Sequence, residues 1–547
     1  MVVAVVLANE YPVVAGRLNF ILQVASHARD NDYFIVVNEY FKFHFEDIIA
    51  GTTERFYQEL EMNRLSEEDI RNIDFCFVPD NYLHTDDWRG SRTSYLLHEY
   101  NEIDKEAVTY IIKEVDKALK KRGLEKPEYI INNVQITENI RELARHYKCQ
   151  LIPYVFSAIR MPHGYSQTLY MAHFGDNLFN VNTAKEMYKL FDSSHIPIDI
   201  LTRREIIALI GKKRNMNLLP LLDIDGIYEV AYSGEGRHII PQAYQYDKVT
   251  DDDIFYDINQ YYGLDSVVAR LHPIQMKQAR FDQRHMKNDP ASFLLSAKRM
   301  ATVQSQISVK AALWNRTVCI YGDALPFSFL MKNRITDKNK LSENDLNFLL
   351  FCYFVPSSLM FSNDYWKWRM NSPDAADIYM KHLLEICNNL GIEESVLYSN
   401  DRETIFMKMR GLSDSEISET KLCVSSDELN YDYLSSHTRV NYSDGTSRDY
   451  YVLNRIMDEE IVSRFEIEYK KPIANIELIL LDDLDGFIDL KSVVVDDKNY
   501  DFLTEERYVK KNESCVNIND IENIGISSDV LTIEVRFTAK TFFKRFI

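Results

Sequence analysis

The chain has 547 residues, 46% of them hydrophobic, and carries 63 Lys and Arg against 83 Asp and Glu, a formal net charge of −20. A chain of this length divides into roughly three or four domains with cores of their own, and its acidity excludes broad nucleic-acid binding, which needs a basic face. Its seven cysteines are scattered without CxxC spacing, which excludes a disulfide framework or a zinc site and fits a reducing cytoplasm.

The amino terminus, Met1 to Ala8, is apolar, but Asn9 and Glu10 interrupt it, so it reads as a buried first strand and not as a signal peptide. Val2–Leu7 is a continuous β-branched run, Leu18–Ala28 has helical periodicity and Tyr33–Val37 is a second apolar run. Short strands then alternate with amphipathic helices: Asp74–Val78, a helix over Asp104–Arg122, Tyr129–Asn132, a helix over Glu138–Tyr147, and Gln150–Phe156. This rhythm predicts a parallel sheet covered on both faces. Glu205–Lys213 reads as a helix, and Leu218–Asp225 as an apolar run bridging to a second α/β series. That series is predicted to open with the strand His238–Tyr244. A helix over Asp252–Tyr262, the strand Ser266–Leu271, a serine-bearing turn and helix after Thr302, the strand Thr317–Tyr321, and helices over Glu343–Phe354 and Ala375–Leu390 follow. Gly411–Leu429, rich in Ser, Asp and Glu, is the connection to a different kind of sequence. There, Asp444-Gly445 and Asp485-Gly486 separate the runs Ile476–Leu481, Phe487–Val495 and Val530–Phe537, the pattern of a β-sandwich. The expected domains are 1–230, 231–395 and 431–547, with a linker over 396–430. No stretch reaches the roughly 18 apolar residues of a membrane span.

Two elements carry chemistry. The strand ending at Arg270 runs into His272 and Pro273, and Ser305 and Ser308 stand at the start of the small-residue helix that holds Ala311 and Ala312. Hydroxyls and helix N-terminal N–H groups at a strand end are where a phosphate sits. An imidazole N–H beside developing negative charge assists departure of a nucleotide. Asp223-Ile224-Asp225-Gly226 reads as a plain Asp-Gly turn. Asp251-Asp252-Asp253 opens a helix and is a favourable dipole partner, not a metal site, and no cluster has metal-ligand spacing. The tail Lys540–Ile547 mixes basic and aromatic residues, which suits an anionic membrane surface as well as a last strand closing the sandwich.

Arg270-Leu271-His272-Pro273 resembles the His-Pro motif of bacterial GT-B sialyltransferases and of the capsule-type Kdo transferases. Ser305 with Ala311-Ala312-Leu313 is similar to their second motif, S-S-x-G-x-E-A-A-L, and Tyr321-Gly322 followed by Pro326-Phe327 resembles the downstream G…PF. The chain departs from that motif at Gln306, Ser308, Lys310 and Asn315. The resemblance implies an α/β fold of the GT-B kind, two Rossmann-like domains facing a cleft, with the β-sandwich-like domain added at the carboxyl end. It implies that Arg270, His272, Pro273, Ser305 and Ser308 bind the nucleotide, joined by Gln242, which stands where related enzymes have a Pro-Leu-Gln strand end. By the same resemblance Glu10, a candidate base or nucleophile, and Arg17 lie in the loop after the first strand that borders acceptor and donor phosphate. Asp223-Ile224-Asp225-Gly226 is similar to the sialyltransferases' acid-acid-Gly motif, which makes Asp225 a second candidate carboxylate. Arg160 and His163 lie in a stretch resembling E-x-G-x-x-R…T and would bind an acidic sugar or phosphate. The implied activity is transfer of a sugar from a nucleotide-sugar donor, a CMP-linked ulosonic or nonulosonic acid, to a glycan or lipid-linked glycan of the bacterial surface. It needs no metal and no cofactor, and takes place in the cytoplasm or peripherally on the inner face of the plasma membrane. Two other readings stay open: a CDP-linked polyol- or sugar-phosphate transferase, and a catalytically silent glycan-binding scaffold. Retention against inversion, the acceptor and the oligomeric state are also open.

Overall fold

The computed structural model describes residues 1–6, 21–22, 24–28, 32–39, 65–78, 103–133, 137–160, 168–175, 180–211, 213–216, 218–226, 228–234, 251–270, 290–303, 305–322, 325–421, 435–457, 460–468, 472–480, 486–500, 506–509, 514–519 and 530–542. In chain order the first strands are β1 (Val2–Val6), β2 (Tyr33–Asn38), β3 (Asp74–Val78), β4 (Tyr129–Asn133), β5 (Gln150–Arg160) and β6 (Thr168–Ala172). They continue with β7 (Tyr228–Ser233), β8 (Val267–Arg270), β9 (Ala297–Thr302), β10 (Thr317–Ile320) and β11 (Phe354–Pro356). The helices used below are α1 (Lys105–Lys121), α2 (Glu138–Tyr147), α3 (Arg203–Ile210), α4 (Asp251–Tyr261), α5 (Ile307–Leu313), α6 (Asn363–Met370) and α7 (Arg402–Met409).

The fold is mixed α/β. A seven-stranded sheet has the order β11-β6-β5-β4-β1-β2-β3. Its members β3, β2, β1, β4 and β5 run parallel, with β6 and β11 antiparallel at the far edge. Both faces are covered, which is why β1 is apolar at every described position. On one face Val3, Val5 and Phe34 meet Ile111 and Val115 of α1 and Leu143 of α2. On the other, Val2, Ala4 and Tyr129 meet Tyr365 and Trp366 of α6. Thus α6 and β11, which come from the span expected in the second domain, belong to the first sheet. The expected helix over Glu343–Phe354 is an α-turn at Glu343–Asn347, then a π-helix at Phe348–Tyr353, before the chain straightens into β11.

The second sheet has the order β10-β9-β7-β8, all parallel. Its first strand is Tyr228–Ser233 and not the expected His238–Tyr244, which lies outside the described residues. Successive residues of β7 pack on opposite faces. Val230 and Tyr232 pack with Ile254 and Ile258 of α4, whereas Ala231 packs on the other face with Ile307 and Ala311 of α5. The sheet is therefore doubly wound. α5 also packs against β5, so Val155 and Ile159 of the first sheet share one core with Val309 and Ala311.

Beyond residue 435 the described strands are antiparallel. One sheet is built from Ser435–Tyr442, Ser447–Leu453, Ile473–Ile479 and Val516–Ile518. The other centres on Glu460–Glu468, Gly486–Val495 and Val530–Phe542. The expected Asp444-Gly445 turn joins the first two strands, with Gly445 at φ +80°, where a Cβ would be strained. Leu531, Ile533, Val535 and Phe537 alternate inward and share one core with Val440, Ile476 and Leu478 of the facing sheet. Among the described residues no helix is long and apolar enough to cross a membrane.

Candidate functional site

The strands of the second sheet are parallel, so Ser233, Arg270, Thr302 and Ile320 all close at one edge. From β7 the chain proceeds to β8 on one side, and β9 lies on the other. Strand order reverses between β7 and β9, and the carboxyl ends at such a reversal are where doubly wound sheets hold their ligands. Three hydroxyl side chains converge there. Thr302 Oγ1 donates to the Ser233 carbonyl at 3.2 Å and accepts from the Ser305 N–H at 3.0 Å. Ser233 Oγ donates to Ser305 Oγ at 3.3 Å. Thr302 and Ser233 are buried (0% and 4% exposed), whereas Ser305 is half-buried. Further backbone bonds hold the edge rigid past the strand ends: Gly234 N–H to Arg270 O (3.1 Å), Tyr321 N–H to Thr302 O (3.0 Å) and Gly322 N–H to Val303 O (3.2 Å). Burial, and then the Asp257 carboxylate that accepts its proton at 2.8 Å, push the Tyr321 phenol well up, so it remains a neutral donor.

α5 begins directly after Ser305, whose carbonyl accepts the Ser308 N–H at 3.1 Å. Ser308 is fully buried, and its hydroxyl has no hydrogen-bond partner among the described residues. The helix is set from its other end. Arg203 at the start of α3 donates to the Ala312 carbonyl and, at 2.6 Å, to that of Leu341. Asn315, left-handed at φ +59°, ends the helix and donates to Asp223 Oδ1 at 2.9 Å and to the Leu222 carbonyl at 3.2 Å. The buried Arg316 adds bonds to the Ile224 and Leu221 carbonyls.

Those bonds place the Asp223–Gly226 turn at the amino-terminal edge of the second sheet. Asp225 is exposed and precedes β7, whereas Ser233 ends it. Six strand residues at about 3.3 Å each put roughly 20 Å between the two edges. The Asp225 carboxylate is therefore not brought to these hydroxyls. Gly226 explains the turn's composition: a Cβ there would meet the backbone of Ser296 and Ala297 at 2.2 Å.

Of the other expected site residues, Ser305 and Arg270 share the working edge, and Ser308 is the second residue of α5. Arg160 ends β5, but its side chain is outside the described residues, as are Glu10, Arg17, His163, Gln242, His272 and Pro273. In the tail, residues 540–542 belong to the last strand and residues 543–547 are outside the described residues. Sequence reasoning missed Ser233 and Thr302. The available signal was a small hydroxyl residue directly after the aliphatic-aromatic run Val230-Ala231-Tyr232, with Gly234 behind it. Among the described residues, no group of three or more His, Cys, Asp or Glu could hold a metal.

No protein-family model matches the chain, and no curated protein matches it in sequence. Among solved structures the chain is similar to the Thermosulfurimonas dismutans KpsC beta Kdo 2,4 transferase, at 12% identity over 42% of this chain and 81% of that one, with a TM-score of 0.29. It is similar to the KpsC beta Kdo 2,7 transferase of the same organism, at 12% identity over 46% and 87%, with a TM-score of 0.29. It is also similar to the Methanocaldococcus jannaschii UDP-GlcNAc 2-epimerase in complex with UDP-GlcNAc and UDP, at 10% identity over 64% and 98%, with a TM-score of 0.23.

Proposed function

We propose that the chain is a GT-B glycosyltransferase that takes its sugar from a nucleotide-activated donor, a CMP-linked ulosonic or nonulosonic acid, and passes it to a bacterial surface glycan. One observation carries this reading: the Ser233 and Ser305 hydroxyls, fixed by Thr302, stand where the strand order of a parallel sheet reverses. Hydroxyl donors suit a phosphodiester bearing a single negative charge, the phosphate of a CMP-linked sugar. The unpartnered Ser308 hydroxyl supports the same reading, because an unsatisfied buried donor costs about 1–3 kcal/mol and is tolerated where function uses it.

In this proposal Ser305, Ser308 and Arg270 hold the donor phosphate. His272, two residues past Arg270, donates to the departing nucleotide, with Pro273 and Gln242 beside it. The nucleophile or base is a carboxylate from the first domain, Glu10. Arg17, Arg160 and His163 bind the acidic sugar or the acceptor. The packing of α5 on β5 supports a division of labour between the sheets, since it joins the donor edge to the strand that ends at Arg160. The proposed chemistry uses no metal or cofactor, and the proposed location is the cytoplasm, with the carboxyl-terminal tail as a candidate membrane contact.

The test is thermal melting of the full chain with CMP, CDP or UDP, since a ligand of the native state at about 100 times its Kd adds roughly 2.7 kcal/mol. CMP is expected to raise the melting temperature most. Ser305→Ala and His272→Ala should diminish the effect, while Asp225→Asn keeps it. A larger rise with CDP selects a CDP-linked donor instead, and no rise with any of the three removes the transferase reading in favour of the scaffold.

A further inference from the structure

We infer that Thr302 and Ser233 are positioning residues for the anion held at this edge: Thr302 sets where Ser305 stands, and Ser233 sets which way the Ser305 proton points. This inference rests on the phosphate reading of the edge and adds two residues to it.

The pairing of β7 with β9 ends at Tyr232 opposite Ala301. One residue further, the Thr302 side chain takes over as the cross-strand bridge. Its hydroxyl gives its proton to the Ser233 carbonyl and a lone pair to the Ser305 N–H, so both of its polar roles are used at once. The group is 0% exposed, and a β-branched side chain in a packed interior has little χ1 freedom. The turn into α5 is thereby tied to the end of β7, and Ser305 Oγ comes within 3.3 Å of Ser233 Oγ. Because Ser233 donates in that contact, one Ser305 lone pair is occupied and the Ser305 proton turns away from Ser233. Ser305 is half-buried, so its proton is left for a ligand at this edge. Valine matches the shape of Thr302 but can make neither bond, whereas serine keeps both.

The test is a mutant cycle on the full chain, with Kd measured by calorimetry for whichever of CMP, CDP and UDP binds tightest to the wild type. Thr302→Val is expected to weaken binding about tenfold, the loss of one hydrogen bond to a charged group. Thr302→Ser should restore it to within about twofold, and Ser233→Ala should weaken it severalfold. In a Ser305→Ala background, Thr302→Val should add less than about a further twofold, because residues acting through one shared group are not additive. If Thr302→Val and Thr302→Ser bind alike, or if the valine effect is undiminished without the Ser305 hydroxyl, the positioning role is overturned. Should the valine variant fail to fold, Ser233→Ala carries the same cycle with Ser305→Ala, and full additivity there overturns the inference equally. A wild type that binds none of the three nucleotides overturns the phosphate reading itself, an outcome distinct from any effect of Thr302.

Discussion

Arg402→Met is expected to be among the most costly single changes to the α/β part of this chain. The Arg402 guanidinium lies at the start of α7 and meets Glu205 of α3 with two bonds, Nε to Oε1 at 2.9 Å and Nη2 to Oε2 at 3.0 Å. Its remaining donors reach the carbonyls of Asp199 (2.7 Å), Leu397 (3.1 Å) and Ile200 (3.4 Å). The two side chains are only 8% and 10% exposed. Methionine fills the volume but strands a buried carboxylate, whose one other bond is to the Thr202 N–H, and leaves the carbonyls with fewer donors. Breaking a buried pair in this way costs about 3–5 kcal/mol. The neighbouring pair, Arg204 with Glu403, is equally bidentate but 31% and 22% exposed, so Arg204→Met should cost about 1 kcal/mol. The chain supplies its own probe: its four tryptophans, Trp88, Trp314, Trp366 and Trp368, all precede the carboxyl-terminal sheets. Tryptophan fluorescence in urea therefore follows the α/β part alone. With a slope of about 3 kcal/mol per molar, Arg402→Met should lower the midpoint by about 1 M or more. Adding Glu205→Leu should recover part of that loss, since the stranded charge is then gone. Equal midpoints for Arg402→Met and Arg204→Met would refute the reasoning. The consequence reaches the site, because Arg203 on the same α3 holds the Ala312 carbonyl of α5.

Two further outcomes are checked with the same fluorescence assay. Gly226→Ala should cost on the order of 3 kcal/mol, at the top of the overpacking range, because its Cβ would press on the Ser296 and Ala297 backbone and not on a movable side chain; a midpoint within about 0.2 M of wild type would contradict this. Asp74 gives a pH signature. Burial alone would raise its carboxyl, but the hydrogen bonds and charges of Arg122 and Lys121 outweigh it and hold the carboxyl below its ordinary value. The folded value lies below the unfolded one, so the stabilisation is present above about pH 4 and fades as pH falls through the folded value. Asp74→Asn should therefore trail wild type by about 1 kcal/mol at neutral pH and converge with it in acid. A gap that stays constant from neutral pH to about pH 3 would show that the charge is not what the pairing uses.

The parallel cores were legible because strands covered on both faces read as unbroken apolar runs; β3 and α2 follow their expected bounds to the residue. Two elements were not legible, each because its identity depends on a partner distant in sequence. β11 continues the apolar stretch that begins at Phe348, and an all-apolar stretch carries no period to separate helix from strand. Only pairing with β6, Phe354 opposite Met171, makes it a strand. β7 contains Glu229, which breaks its apolar run and is stabilised only once Lys298 and Arg299 of β9 lie alongside. The run at His238–Tyr244 therefore looked the better strand. This misplaced strand is the reason Ser233 goes unread as a site residue. In a parallel sheet a residue before a strand faces the amino-terminal edge and a residue after it faces the ligand edge. With the strand set at Tyr228–Ser233, Ser233 closes it at the ligand edge, whereas Asp225 precedes the strand under either placement. The hydroxyl thus enters the site through the placement of the strand, while the reading of Asp225 rests on a motif resemblance and not on where the strand lies.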